Sequence, residues 1–240
     1  MPTLVEMPVK VIVPDFPPDE LLISEDGVPL ESDWHGVEIE LLRDLVHQHF
    51  SGRDDFFAGG NMFIYFNEEQ ARNKDYRGPD FFFVWGATPN PLRKYWAIWK
   101  EGGRYPNLIV ELSSPSTIKE DLTTKKDIYE TTFRTPDYFC FDPDAEKLQG
   151  WHLGNGNYEP LAPNERGWLW SNQLQLWLGT WNGTYLSRDT IWLRFYTKDG
   201  VMVPTSQEAA QQQADEQRQR ADAAEAELIQ LKAQIERRKN

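Results

Sequence analysis

One cysteine, Cys140, is present in 240 residues, so the chain closes no internal disulfide and suits a reducing compartment. Four histidines, with no cysteine partners, leave His47, His49 and His152 without a zinc-type arrangement. Positive charge is scarce as well. Twenty-five Lys and Arg face 38 Asp and Glu, for a net charge of −13. That argues against tight non-specific nucleic-acid binding, which relies on neutralised phosphates. It leaves room for an acidic metal site beside a local basic patch. No apolar run is long enough to span a bilayer, and the N-terminus lacks a basic stretch followed by an apolar one. The expectation is a soluble cytoplasmic protein with no membrane partner.

What is present is a core. Hydrophobic residues make up 40% and aromatics 13% of the chain, enough for one good-sized globular body plus an appendage. Residues 1–31 are rich in proline and acid and read as an extended arm. Ser32 and Asp33 read as helix caps before Trp34, Val37, Leu41 and Leu45 at helical spacing. Residues 51–61 read as a polar loop, Met62 to Phe66 and Asp80 to Trp85 as strands, and 86–107 as a Pro/Gly-containing excursion. Leu108 to Ser113 returns as a strand, a helix should run from about Ile118 to Phe133, and Tyr138 to Phe141 is a further core strand. Gly154-Asn155-Gly156-Asn157 between Leu148–Leu153 and Tyr158–Leu161 signals a hairpin. Six of the ten Trp lie between Trp151 and Trp192 and suggest an aromatic outer layer or a dimer surface. The order of elements predicts one α/β domain over 32–205 with a mixed sheet.

Residues 206–240 lack aromatics, glycine and proline altogether. Ala210, Ala214, Gln217, Ala221, Ala224, Leu228, Leu231 and Ile235 alternate at spacings of four and three, which is a heptad seam. This tail is close to neutral, so nearly all the net charge sits on the body. A homodimer is expected, with this C-terminal coiled coil contributing but not solely responsible; a lone charged helix is the alternative.

Three polar residues stand where burial should be costly. Asp80 opens Asp-Phe-Phe-Phe-Val-Trp, which is apolar on both faces of a strand, and Glu111 interrupts Leu-Ile-Val-Glu-Leu. A carboxylate so placed needs a cation or donors, because an unpaired buried charge is very expensive. At roughly 100° per residue, Ile118, Leu122, Ile128 and Tyr129 define one helix face, with Lys125 near its centre, Asp121 on it and Lys126 at its edge. Two acids that share a divalent cation, with a lysine beside them, would make a hydrolytic site. A Lys125–Asp121 ion pair capping the core is the structural alternative. Glu38, at the margin of the first helix's apolar face, is a candidate further metal ligand, and His35 a weaker one. Arg93, Lys94, Lys100 and Arg104, against Glu101, give the excursion a charge of +3. Tyr95, Trp96, Trp99 and Tyr105 are interleaved with them. That pattern either grips a nucleic-acid strand or packs its aromatics on the body. Gly59-Gly60-Asn61 lacks the Lys and helix of a phosphate loop.

Several segments together resemble the Uma-two family of restriction-endonuclease-like proteins, of the PD-(D/E)xK nuclease fold. They are Tyr76-Arg77-Gly78-Pro79-Asp80, Val110-Glu111-Leu112-Ser113-Ser114-Pro115-Ser116-Thr117, Asp121-x3-Lys125-x3-Tyr129 and Pro136-Asp137-Tyr138-Phe139-x-x-Asp142-Pro143. The match spans roughly residues 20–200. The resemblance implies a mixed β-sheet nuclease core flanked by helices and Mg²⁺- or Mn²⁺-dependent hydrolysis of DNA. Asp80 and Glu111 would be ligands and Lys125 the catalytic cation, with weak DNA contact outside the site. The wider nuclease pattern has Lys two residues after the Glu, where this chain has Ser113. In the relatives it resembles, the lysine has moved to the next helix, and Lys125 matches it. A module for assembly or regulation, built on a nuclease fold without activity, is the competing expectation.

Overall fold

The computed structural model describes residue 22, residues 32–73 and residues 78–239. The predicted arm over 1–31 lies outside the described residues except for Leu22, which clusters with Tyr65, Ala71 and Ala97. Six strands form the central sheet. They are β1 (Phe56–Gly59), β3 (Phe81–Trp85), β5 (Leu108–Leu112), β6 (Asp137–Asp142), β7 (Lys147–Gly154) and β8 (Asn157–Pro160), in the spatial order β1-β3-β5-β6-β7-β8. Only β5 and β6 run parallel, joined through the helical segment 118–133, so the sheet is mixed. In β3, Phe81, Phe82, Phe83 and Val84 are all fully buried, because both faces of the sheet are covered.

One face carries helix α1 (Asp33–His49) and a second antiparallel sheet of β9 (Leu169–Ser171), β10 (Leu176–Tyr185) and β11 (Arg188–Tyr196). Ser32 caps α1 by accepting from the His35 N–H, as its residue type predicts. Leu41, Leu42, Leu45 and Val46 bury the helix against Phe81, Phe83, Leu108, Val110, Leu112, Phe139 and Phe141. The opposite face carries the 118–133 helix. There Tyr129 and Phe133 pack on Phe82, Ile109, Tyr138 and Cys140. The side chains of β5 alternate between these two cores, and that alternation decides where Glu111 points.

Two segments differ from the sequence reading. The expected loop over 51–61 contains the edge strand β1. Four residues, with acids before and glycines after, disguise a strand whose Phe56 and Ala58 face one core and Phe57 the other. Gly60 is required just beyond it: a Cβ there would lie 1.6 Å from the Asp80 carbonyl oxygen. The expected strand over Met62–Phe66 shrinks to β2 (Ile64–Tyr65), which pairs in parallel with β4 (Trp96–Ala97) inside the excursion. In the Trp-rich end, Trp192 is fully buried and Trp168 stacks on Tyr196 at 3.8 Å, so much of that aromatic surface is spent inside the body. The Asn155-Gly156 turn forms as read, with φ of +49° and +93°.

No helix among the described residues is long and apolar enough to cross a membrane. The tail helix spans Ser206–Lys239. Thr205 and Glu208 form a capping box: Thr205 Oγ1 accepts from the Glu208 N–H at 3.1 Å, and the Glu208 carboxylate accepts from the Thr205 N–H at 2.7 Å. The same carboxylate meets the fully buried Arg194 guanidinium at 2.7 Å, and Asp44 accepts from the Ser206 N–H at 2.8 Å. Glu208→Gln should therefore lower stability by about 1–2 kcal/mol, below the cost of breaking a fully buried pair, because Glu208 is 38% exposed. Thermal melts at neutral pH check this; an unchanged melt would mean the anchor adds nothing to the body.

Candidate active site

Strand register brings the two acids together. Phe81 pairs with Val110 in the antiparallel β3–β5 ladder, so the next position sets Asp80 opposite Glu111. The Asp80 N–H donates to Glu111 Oε2 at 3.3 Å, and the Leu112 N–H donates to Asp80 Oδ2 at 2.7 Å. Glu111 is fully buried on the face covered by the 118–133 helix. From that helix Tyr129 donates its hydroxyl to Glu111 Oε1 at 2.7 Å. The Lys125 amine lies 3.2 Å from Glu111 Oε2 and 2.8 Å from Asp121 Oδ1. Asp80, Glu111 and Lys125 thus converge, and the Lys125–Asp121 pair is present as well.

The helix is wound to make this possible. Asp121–Lys125 and Tyr129–Phe133 are π-helical, on either side of a short α-helical stretch, Lys126–Ile128. Four residues of α-helix overshoot a full turn by about 40°. The wider π turns take up that drift, so Asp121, Lys125 and Tyr129 all face the sheet; such turns are frequent at functional sites. Lys126 instead lies over the Trp151 ring at 4.7 Å.

Three carboxylates surround one ammonium, and burial dominates their electrostatics. Burial raises Asp80 above the ordinary aspartate range, against the pull of Lys125 and the Leu112 N–H. Glu111 is pushed up to about 8 by burial, again against Lys125, with the Asp80 charge adding to the rise. Burial alone would lower Lys125; Glu111, Asp121 and Asp80 overcome it and hold the amine as a firm ammonium. Cys140 is pushed up to about 12 by burial, which makes it an inert core thiol.

A pH effect follows. Between the ordinary value of 4.5 and about 8, the folded protein keeps a proton on Glu111 that the unfolded chain has lost. Metal-free stability should therefore be greatest at the acid end, fall as pH rises through that window, and level off above it. Melts in chelator from pH 5 to 9 measure it, and Glu111→Gln should flatten the curve. A melting temperature that rises across the window would mean Glu111 is ionised against Lys125 throughout.

Sequence reasoning gave no role in the chemistry to three members of the site, though it set Asp121 and Tyr129 on the helix's inner face. Asp121, 1% exposed, accepts from Ser113 Oγ at 2.7 Å through Oδ2, while its Oδ1 faces the Lys125 ammonium at 2.8 Å. Ser113, where the wider nuclease pattern has its lysine, thus reaches Lys125 through Asp121. Tyr129 reads as core by its spacing; nothing but its place in the Asp121-x3-Lys125-x3-Tyr129 run signals the bond to Glu111.

Other expected residues lie elsewhere. Glu38 belongs to the opposite core: it accepts from the Leu193 N–H at 3.1 Å, and burial, opposed by that bond and by Arg194, raises it well above the carboxylate range. α1 packs on β11, so this acid faces away from Glu111. His35 is held by Ser32 Oγ at 2.8 Å and the Leu112 carbonyl at 2.8 Å. In the excursion, Arg93 makes two bonds to Glu101, at 2.8 and 3.0 Å, and lies over Trp96 and Phe57. Trp96 is fully buried, so the packing alternative holds for these two. Lys94, Lys100 and Arg104 are exposed, with Lys100 against Tyr95 and Arg104 bonded to the Glu101 carbonyl. The excursion joins the ends of β3 and β5 remote from Asp80 and Glu111.

Among the described residues, no group of three or more His, Cys, Asp or Glu side chains is arranged to hold a metal ion. In kind, however, the donors suit one. Asp80 and Glu111, brought together across β3 and β5, offer hard carboxylate oxygens, the chemistry Mg²⁺ and Mn²⁺ prefer.

A family model described as "Putative restriction endonuclease", Uma2, matches residues 22–184. A solved structure of "a putative nuclease belonging to DUF820 from Anabaena variabilis ATCC 29413" is similar at 12% identity, over 61% of this chain and 76% of that chain, with a TM-score of 0.45. No curated protein matches the chain.

Proposed function

The chain belongs to the Uma2 family, described as "Putative restriction endonuclease", and from that premise we propose that it is a divalent-metal-dependent endonuclease that hydrolyses DNA phosphodiester bonds at Asp80, Glu111 and Lys125. The observation that supports this reading most is the opposition of Asp80 and Glu111 across β3 and β5 with the Lys125 amine 3.2 Å from Glu111. Asp80 and Glu111 would hold Mg²⁺ or Mn²⁺. When bound, such a cation supplies Lewis acidity at the phosphate and lowers the pKa of water. Lys125, kept as an ammonium, offers a hydrogen bond and positive charge to a phosphate oxygen or to the attacking water. Tyr129 fixes the rotamer of Glu111, and Ser113 and Asp121 fix Lys125. Outside the site, Lys94, Lys100 and Arg104 are the exposed bases of the excursion that would touch a DNA backbone, and in so acidic a protein that contact is weak. The protein works as a homodimer in this reading, through the exposed seam of its tail.

The test is cleavage of supercoiled plasmid and of single-stranded DNA with Mg²⁺ or Mn²⁺, beside calorimetric titration of each ion without DNA. Binding together with metal-dependent cleavage supports the reading. One observation favours a second reading, an inactive assembly module: the Lys125 ammonium already answers Glu111 and Asp121. Absence of divalent binding to the intact chain would leave that second reading.

A further inference from the structure

From residue 210 to residue 237 the tail helix carries only exposed side chains, including the apolar Leu228, Leu231 and Ile235, each 48–53% exposed. We propose that a second copy of this chain covers this seam as a parallel, in-register coiled coil. This rests on the self-association proposed above and adds its direction. In the heptad, Ala214, Ala221, Leu228 and Ile235 take one seam position, a, and Ala210, Gln217, Ala224 and Leu231 the other, d. The flanking positions then carry Arg220 and Glu227 before a, and Arg218, Glu225 and Lys232 after d.

The order of the seam residues selects the direction, and the flanking charges agree with it. In a parallel pair each residue before a meets the residue five places on in the partner helix. Arg220 meets Glu225 and Glu227 meets Lys232, both attractive, and each pair occurs twice. Leu228, Leu231 and Ile235 each face their own copy in consecutive layers, and the two Gln217 amides can bond each other. A branched residue at a with Leu at d, as in Ile235 and Leu231, is the pattern of two-stranded coils. The antiparallel pair of greatest overlap sets Ile235 on Ala210, Leu231 on Ala214, Leu228 on Gln217 and Ala221 on Ala224, so no large apolar residue of the seam meets another. Sliding it one heptad toward the C-terminal halves still sets Ile235 on Gln217, Leu231 on Ala221 and Leu228 on Ala224, and leaves Ala210 and Ala214 without seam partners. Sliding it one heptad the other way leaves Leu231 and Ile235 without seam partners. The Arg220–Glu216 contact within the helix, 3.6 Å and exposed, is too weak to compete.

Direction matters because the first turn is fixed to the body by Arg194, Glu208 and Asp44. A parallel coil therefore sets both bodies at one end. An antiparallel coil would part them by most of the helix length, on the order of 40 Å.

Three measurements on the full chain test this. Sedimentation at tens of micromolar should give a dimer; a monomer overturns the proposal. Leu231→Cys with oxidised glutathione should yield mostly disulfide-linked dimer on non-reducing electrophoresis. Cys140, 1% exposed, keeps the unaltered chain as a blank. A dimer that Leu231→Cys fails to link overturns the parallel register while leaving self-association standing. Arg220→Glu should raise the dimer dissociation constant roughly tenfold, and Arg220→Glu with Glu225→Arg should return it to within about twofold. Further weakening by the double change overturns the parallel arrangement. All these positions are exposed, and an unchanged melt of the body confirms that each variant folds.

Discussion

Replacing Lys125 with methionine is expected to destabilise the metal-free protein by about 3–5 kcal/mol, the scale of stripping a buried charge of its partner. The methionine keeps most of the stem's bulk, so packing changes little. What it removes is the ammonium 3.2 Å from Glu111 and 2.8 Å from Asp121, and both carboxylates are buried to 1% exposure or less. For a body of this size that corresponds to roughly 6–20 °C in melting temperature. The loss should be largest near pH 8, where the orphaned acids must stay ionised, and smaller near pH 5, where they can take up protons. DNA cleavage should fall with it, and only stability separates the two roles of the residue. Melts of Lys125→Met matching the wild type at pH 8 would show that the acids do not depend on this amine, and the electrostatic account of the site would fail.

Asp80, Glu111 and Lys125 were legible because each breaks a rule that the surrounding residues obey. Carboxylates in strands buried on both faces, and an amine at the centre of a helix's inner face, are conflicts between local chemistry and burial, and such conflicts are visible one sequence at a time. Asp121 and Tyr129 obey the rules and so stayed half hidden. A helical Asp four residues before a Lys is an ordinary surface pair, and a Tyr on an apolar face is ordinary core. Only the register of β3 against β5 and the wide turns of the helix reveal what they touch. Glu38 fails for a related reason. Its place at the margin of an apolar face shows that it is buried, but not under which face of the sheet, and helical spacing carries no information about the partner layer. β1 was lost because four residues between acids and glycines give too short an alternation to register against turn-forming neighbours. The basic excursion read correctly as charge and aromatic interleaved, yet Glu101 within it captures Arg93, and pairing inside a loop is invisible to a net-charge count.

Changing Asp80 to asparagine should split the structural and chemical roles of this acid. The amide oxygen can still accept from the Leu112 N–H, the 2.7 Å bond that ties the start of β3 to the end of β5. What disappears is a negative charge that burial already disfavours, beside Glu111 and within reach of the Asp121 field. Metal-free Asp80→Asn should therefore melt slightly higher than the wild type, with the gain growing toward alkaline pH, where the native carboxylate is forced to ionise. Asp80→Ala should behave oppositely. It leaves the Leu112 N–H without its acceptor, at a cost of about 1–3 kcal/mol. Both variants should lose most of the calorimetric signal for Mg²⁺ or Mn²⁺, and cleavage should fall by roughly 10²–10³-fold, the scale of removing one preorganised electrostatic contact from a transition state. The informative case is the asparagine variant, since it separates charge from hydrogen bonding at a single position. If it melts lower than the wild type while binding divalent ions as well as before, Asp80 is a clasp between two strands and no ligand, and the metal-dependent reading of the site loses the residue on which it chiefly depends.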